Sequence, residues 1–208
     1  MIEDALDISR IENNKFNLFM DTFNVREAVN EVCDIMRFQL EQKKLAFVSE
    51  IAQNVPVHIY SDVKRFKQVL FNLLGNASKF TLAGSVTIKV MFEDDTSTMA
   101  VDIIDTGIGM KAEDLQKLFK FFGKIQQSSD INRGGMGLGL TISKMIIGQL
   151  KGDINVTSEP GQGSKFSFSF PVECNDSLSS SSSSSIGSSE ASQSSVSAAS
   201  ERSDHVQE

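Results

Sequence analysis

The stretch Arg65 to Thr81, RFKQVLFNLLGNASKFT, constrains this chain more than any other. Placed on a helix, Phe66, Val69, Leu70, Leu73, Leu74 and Ala77 recur at the i, i+3, i+4, i+7 spacing of a buried face. Gln68, Asn72, Asn76 and Lys79 recur on a neighbouring face, each three or four residues from the last. Asparagine inside a helix costs roughly 0.6 kcal/mol relative to alanine, and neither Asn72 nor Asn76 stands where a cap is needed. An amide carbonyl is a neutral oxygen ligand, suited to Mg²⁺ when the phosphates of a substrate carry the negative charge. A lysine one turn further on can reach those phosphates as a point charge. A polar rim on an ordinary amphipathic helix has the same pattern, so the downstream motifs decide between the two.

Composition narrows the function classes. With 208 residues the chain is long enough for one domain with a sizeable core and extra segments. A net charge of −7 and the lack of a Lys/Arg run argue against nucleic acid as a partner. No apolar run approaches the roughly 20 residues of a membrane span, and the N-terminus, MIEDALDISR, has neither the basic flank nor the apolar core of a signal peptide. Cys33 and Cys174 are far apart, and with only His58 and His205 besides, zinc is not expected. Cys33 falls in an amphipathic pattern and reads as a buried thiol in a reducing, cytoplasmic setting.

Taken in order, residues 1–13 read as a short helix with Ile2, Leu6 and Ile11 inward, too short to stand alone in water. Phe16 to Thr22 reads as a strand. Asn24 is an N-cap for a helix from Val25 to Lys43, and Asp62 can cap the central helix. Leu45 to Ile51 and Val57 to Tyr60 are strands joined by a turn at Asn54-Val55-Pro56. Val86 to Phe92 and Met99 to Asp105 alternate as two half-buried strands around a hairpin loop. Lys111 to Phe119 is a short helix, Phe121 to Arg133 a long loop, and Leu138 to Leu150 a helix ended at Gly152. Ile154 to Val156 and Lys165 to Phe170 are strands around the turn Glu159-Pro160-Gly161-Gln162-Gly163. From residue 174 a serine-dominated tail lacks the apolar residues needed to offset its ordering entropy, so disorder is expected there.

Two further motifs carry chemistry. In DTGIGM, Asp105 continues the inward face of Val101 and Ile103, so a carboxylate is aimed at the apolar layer, where it needs a donor. An adenine amino group would serve, and Gly107 would let a ring approach the backbone; a strand-end turn around a satisfied aspartate is the alternative. In GGMGLGL, residues 134–140, glycines free backbone N–H groups ahead of an apolar helix, a phosphate-binding arrangement when it is not simply a hinge. Lys120, Lys124 and Arg133, in the loop before it, are candidates for the terminal phosphate.

In order and spacing, Asn72/Asn76/Lys79, DTGIGM, LFKFFGKI and GGMGLGL closely resemble the N, G1, F and G2 boxes of sensor histidine kinases, and SEPGQGSKFSFSFP is similar to the closing strands of that domain. The resemblance covers about residues 14 to 172. It implies an α/β (α+β) two-layer sandwich in which a mixed sheet backs helices that enclose ATP under a mobile lid. It also implies that Asn76 holds Mg²⁺ with Asn72 beside it, that Lys79 and Phe80 line the nucleotide, and that Asp105 accepts from the adenine amino group. Gly107 and Gly109 would shape the base pocket, Arg133, Gly135, Gly137, Leu138 and Gly139 the phosphate loop, and Phe119 and Phe122 would anchor the lid.

The same resemblance sets the expected organisation. Residues 1–13, with LDISRIENNKF, look like the end of a dimerisation helix, which could pair in a homodimer; residues 14–173 form the ATP-binding domain and 174–208 the tail. The helix bearing a phosphoacceptor histidine is not in this sequence, so a histidine-containing dimerisation domain and a response-regulator receiver domain on other chains are the expected partners. The expected reaction is transfer of the ATP γ-phosphate to a histidine. Related ATPases such as gyrase and the chaperone ATPases place a glutamate four residues before the metal-binding asparagine; here that residue is Asn72, which cannot act as a general base. A non-enzymatic ATP-dependent module that pairs with another kinase is the remaining alternative.

Overall fold

Asn24 ends one strand and opens a helix. In a computed structural model, which describes residues 6–7, 9–10, 13, 15–115, 118 and 138–174, β1 (Asp21–Asn24) runs straight into α1 (Val25–Gln42), and the Asn24 side chain accepts from the Glu27 N–H at 3.2 Å. There follow β2 (Ala46–Ile51), β3 (His58–Ser61), α2 (Val63–Phe80), β4 (Ser85–Glu93), β5 (Thr98–Asp105), α3 (Ala112–Leu115), α4 (Gly139–Gln149), β6 (Asp153–Glu159), β7 (Gly163–Pro171) and β8 (Glu173–Cys174). The described residues belong to the compact unit Met1–Asp176; residues 175–208, with the serine-rich stretch, lie outside them.

Asp62 caps α2 through one carboxylate oxygen, which accepts from the Arg65 N–H at 3.0 Å, and through the other it accepts from the Phe19 N–H at 2.8 Å. Such a cap contributes about 1 kcal/mol. At the far end the Thr81 hydroxyl donates to the Ala77 carbonyl at 2.7 Å and closes the helix. All six apolar positions of the expected stripe, Phe66, Val69, Leu70, Leu73, Leu74 and Ala77, are buried, as are Val25, Ala28, Val29, Val32, Cys33, Met36 and Leu40 of α1.

These helices lie on a five-stranded sheet of order β2-β4-β5-β7-β6, parallel only between β2 and β4. Its inward face is built in layers. Ile88, Ile103 and Phe166 stand in register, as do Val90, Val101 and Phe168, then Phe92, Met99 and Phe170. Phe66 of α2 meets the Phe168 and Phe170 rings at 6.4 and 6.0 Å between centroids. The next layer in the same register is Val86, Asp105 and Ser164, so the core turns polar at that end of the sheet. On the opposite face, Lys89 pairs with Glu50 at 2.8 Å and Lys165 with Asp102 at 2.7 Å. This is the two-layer α/β arrangement with a mixed sheet. A second, three-stranded antiparallel sheet, β1-β3-β8, runs beside it.

The structure corrects three expectations. Leu6 is 48% exposed, and among the described residues of that segment Asp7 is the buried one, held by an ion pair rather than by an apolar stripe. Ile2 and Ile11 lie outside the described residues. Phe16 to Met20 is not a strand; β1 starts only at Asp21, since Phe16 stacks over the Arg65 guanidinium at 4.5 Å and the Phe19 N–H is taken by Asp62. Of the helix expected over Lys111 to Phe119, Ala112–Leu115 is helical; Gln116, Lys117 and Phe119 lie outside the described residues. Among the described residues no helix is long and apolar enough to cross a membrane.

Candidate functional site

The polar end of the core is the place where β5, the end of α2 and the β6–β7 hairpin converge. Asp105 closes β5 and is only 4% exposed. Its carboxylate accepts from the Gly107 N–H at 2.8 Å, and Ser164 stands opposite it in the ladder. Burial pushes the Asp105 carboxyl above its ordinary range, and the polar groups of Gly107 and Ser164 only partly offset that. A carboxylate in this position gains from one more donor.

The loop after Asp105 is held against α2 and the hairpin. The Ile108 N–H donates to the Phe80 carbonyl at 3.1 Å, the Gly161 N–H to the Ile108 carbonyl at 2.8 Å, and the Met110 N–H to Ser158 Oγ at 2.8 Å. A Cβ on Gly107 would lie 2.4 Å from the Phe80 carbonyl oxygen. Gly109 has φ +63° and its Cβ would lie 1.9 Å from the Glu159 carbonyl oxygen, so both positions require glycine.

The polar stripe of α2 runs toward this corner. Asn72 Nδ2 donates to Ser143 Oγ of α4 at 2.8 Å, and its Oδ1 receives Asn76 Nδ2 at 3.5 Å. Gly139, the first residue of α4, sits so close that an added Cβ would come 2.1 Å from Asn72 Oδ1. The N-cap position of α4 is Leu138, a buried residue with no side-chain acceptor for the first N–H groups of the helix. Lys79 lies over the Phe80 ring at 5.3 Å. A cleft of about 510 Å³ separates α2 from α4 and is lined by Lys64, Gln68, Phe71, Asn72, Ile142 and Ser143 among others.

The structure thus brings Phe80, Asp105, Gly107 and Gly109 together at one corner. It links Asn76 to Asn72, and through Asn72 to Ser143 and Gly139, and leaves Leu138 at the head of α4. Phe119, Lys120, Phe122, Lys124, Arg133, Gly135 and Gly137 lie outside the described residues. Gln68 belongs to the stripe, but its amide is engaged by Arg65 and Asp7 at 2.7 and 3.1 Å. Sequence reasoning missed Ser143, Ser158 and Ser164. Only Ser164 had a usable signal, since it follows once the Phe166-Phe168-Phe170 alternation is registered against Val101-Ile103-Asp105.

Residues 61–173 match the family described as the histidine kinase-, DNA gyrase B- and HSP90-like ATPases. The chain belongs to that family. This ATPase domain is 38% identical over 169 residues to the sensor protein GacS of Pseudomonas syringae pv. syringae, a match covering 80% of this chain and 19% of GacS. It superposes on full-length ShkA, solved in complex with AMPPNP, with a TM-score of 0.74 and 26% identity over 84% of this chain and 35% of that one. The catalytic domain of the histidine kinase ThkA matches with a TM-score of 0.62 and 28% identity, over 74% of this chain and 97% of that one. The ATPase domain is of the sensor-histidine-kinase catalytic type, and ATP is its nucleotide. It spans about a fifth of the length of GacS (19%); that relative is a far longer protein.

Proposed function

We propose that the domain transfers the γ-phosphate of Mg²⁺-ATP to a histidine on a dimerisation domain, in a phosphorelay completed by a receiver domain. In this reading residues 14–173 are the catalytic unit, residues 1–13 are the end of a dimerisation helix capable of homodimer contact, and 174–208 are the serine-rich tail outside both. The working compartment is the cytoplasm.

The observation that carries the reading is the polar end of the core, where the buried Asp105 carboxylate closes β5 beside the Gly107–Gly109 loop. Asp105 would accept the adenine amino group, with Gly107 and Gly109 shaping the base pocket by letting their loop lie close against Phe80 and Glu159. Asn76, whose nitrogen is turned to Asn72, has its carbonyl oxygen left to hold Mg²⁺. No cluster of three or more His, Cys, Asp or Glu side chains suited to a metal occurs among the described residues, which fits a cation held mainly by phosphate oxygens and one amide. When bound, Mg²⁺ neutralises charge on the phosphates. Lys79 and the open N–H groups of α4, with Arg133, Gly135 and Gly137 ahead of them, would position the phosphates. Asn72, bonded to both Ser143 and Asn76, holds the metal-binding amide in place and offers no base to activate water. That favours transfer over hydrolysis.

The test is a transfer assay. The chain is incubated with labelled Mg²⁺-ATP and an added histidine-containing dimerisation domain from a related kinase. Acid-labile, alkali-stable label on the added domain is the expected result. Release of inorganic phosphate with no label on that domain would overturn the assignment.

A further inference from the structure

Asn72 connects the helix that carries the metal-side amide to the helix whose head faces the phosphates. Its Nδ2 donates to Ser143 Oγ of α4 at 2.8 Å, and its Oδ1 accepts from Asn76 Nδ2 at 3.5 Å. Ser143 is 2% exposed and stands one turn after Gly139, whose missing Cβ leaves the room that the Asn72 carboxamide occupies. Asn76, Asn72 and Ser143 thus form one polar chain across two helices, with the serine at its buried end.

The direction of that chain matters because the two ends of a carboxamide are unlike. The nitrogen only donates and the oxygen only accepts. With the Asn76 oxygen turned toward a cation, its nitrogen faces Asn72. Asn72 must then present its oxygen to Asn76 and its nitrogen to α4, where the group that meets it has to accept. The Ser143 hydroxyl has lone pairs for this, whereas a methyl group there would leave the Asn72 nitrogen one partner short. A cation drawing on the Asn76 oxygen polarises the chain in the same sense, so each bond strengthens the next.

We propose that Ser143 is a positioning residue for the metal: acting through Asn72, it holds the Asn76 amide with its oxygen toward Mg²⁺. This rests on Asn76 as the metal ligand. In this scheme Ser143 touches neither cation nor nucleotide. Its contribution belongs to the Mg²⁺-bound state and is absent when the nucleotide binds without metal.

The experiment measures ATP affinity of the whole chain by isothermal titration, once with saturating Mg²⁺ and once with the metal removed by EDTA. Ser143→Ala is expected to lower the ratio of the two affinities about fivefold, the size of one hydrogen bond between neutral groups, by weakening Mg²⁺-ATP. Equal weakening in both conditions, or an unchanged ratio, would overturn the proposal and leave Ser143 as packing between α2 and α4. A second comparison repeats Ser143→Ala in an Asn72→Ala background, where it should change the ratio no further. A fall of the same size there would show that Ser143 does not act through Asn72. If Ser143→Ala does not fold by circular dichroism, Ser143→Cys takes its place. Sulfur is a weak acceptor, so the same one-sided loss must appear in smaller measure, and an unchanged ratio refutes the role. Asn76→Ala separates the two levels. A ratio unaltered by Asn76→Ala means that the metal assignment itself is wrong. A ratio that collapses there while surviving Ser143→Ala rejects the role of Ser143 alone.

Discussion

Asp7 and Arg65, 58 positions apart in sequence, meet through both carboxylate oxygens and both terminal guanidinium nitrogens. Gln68 bridges the pair and the Phe16 ring covers the guanidinium from one side. Asp7 is 3% exposed in its side chain and Arg65 9%. The segment before the domain is therefore fastened to the first turn of α2, the helix that carries Asn72 and Asn76 two and three turns later.

This pair predicts an acid-sensitive share of stability. Burial alone would raise the Asp7 carboxyl, but the Arg65 and Gln68 hydrogen bonds and the Arg65 charge outweigh it and hold the group below its ordinary value. A depressed folded-state value means that the contribution is complete above the unfolded pKa, about 3.9, and is lost as pH falls through the folded one. Asp7→Asn, which leaves Arg65 buried without its counter-charge, should destabilise by about 3 kcal/mol near neutral pH. In urea melts the gap between variant and wild type should close below about pH 4. A gap that persists there would show that packing, not charge, holds the segment.

Asp105 titrates in the other sense. Its carboxyl is raised by burial, so ionising it as pH climbs from the unfolded to the folded value lowers folding stability, and Asp105→Asn should remove that loss. As the base acceptor it must be ionised, so ATP affinity should fall on acidification at a pH above the usual carboxylate range. Isothermal titration across pH 4.5–8 reads this (about 3.9 is the ordinary value). Asp105→Asn should weaken ATP at least about tenfold and abolish the acid limb. An unchanged limb in the variant would assign it to another group.

The two glycines of α4 provide a matched contrast. Gly148 has nothing within 4 Å of an added Cβ, whereas at Gly139 that atom would meet Asn72 Oδ1. Gly148→Ala should stabilise the protein by about 0.5–1 kcal/mol from helix propensity. Gly139→Ala should be destabilising and should also reduce nucleotide affinity, since it displaces Asn72 from Ser143. Thermal melts and ATP titrations of the two variants check both statements.

Asn76→Asp tests the metal ligand by charge. A carboxylate there would sit near the phosphates, so nucleotide binding without Mg²⁺ should weaken while the dependence on Mg²⁺ steepens. Superimposable Mg²⁺ titrations of variant and wild type would remove Asn76 from the metal site.

Legibility followed the range of the forces involved. The stripes of α1 and α2, the Asn24 and Asp62 caps and the inward face that ends at Asp105 were readable because each depends on residues a few positions apart. Leu6 was misread as inward because so short a helix has too little periodicity to show its face, and the partner of Asp7 lies far along the chain. Strand β8 is two residues long and exists only through Ile59 and Tyr60 opposite it. Ser143 and Ser158 occur in sequence as unremarkable serines, and only the folded neighbours of Asn72 and Met110 give them a purpose.

The solvent face of the five-stranded sheet carries a row of opposite charges, Glu50, Lys89, Asp102 and Lys165, running across four strands. The exposed Lys89–Glu50 pair contributes little to stability by itself. The joint effect of the four charges is on sociability. Any flat surface that tried to cover these four residues would have to strip water from charges already paired with their neighbours. These four positions therefore resist being covered, which guards that stretch of the sheet against casual association.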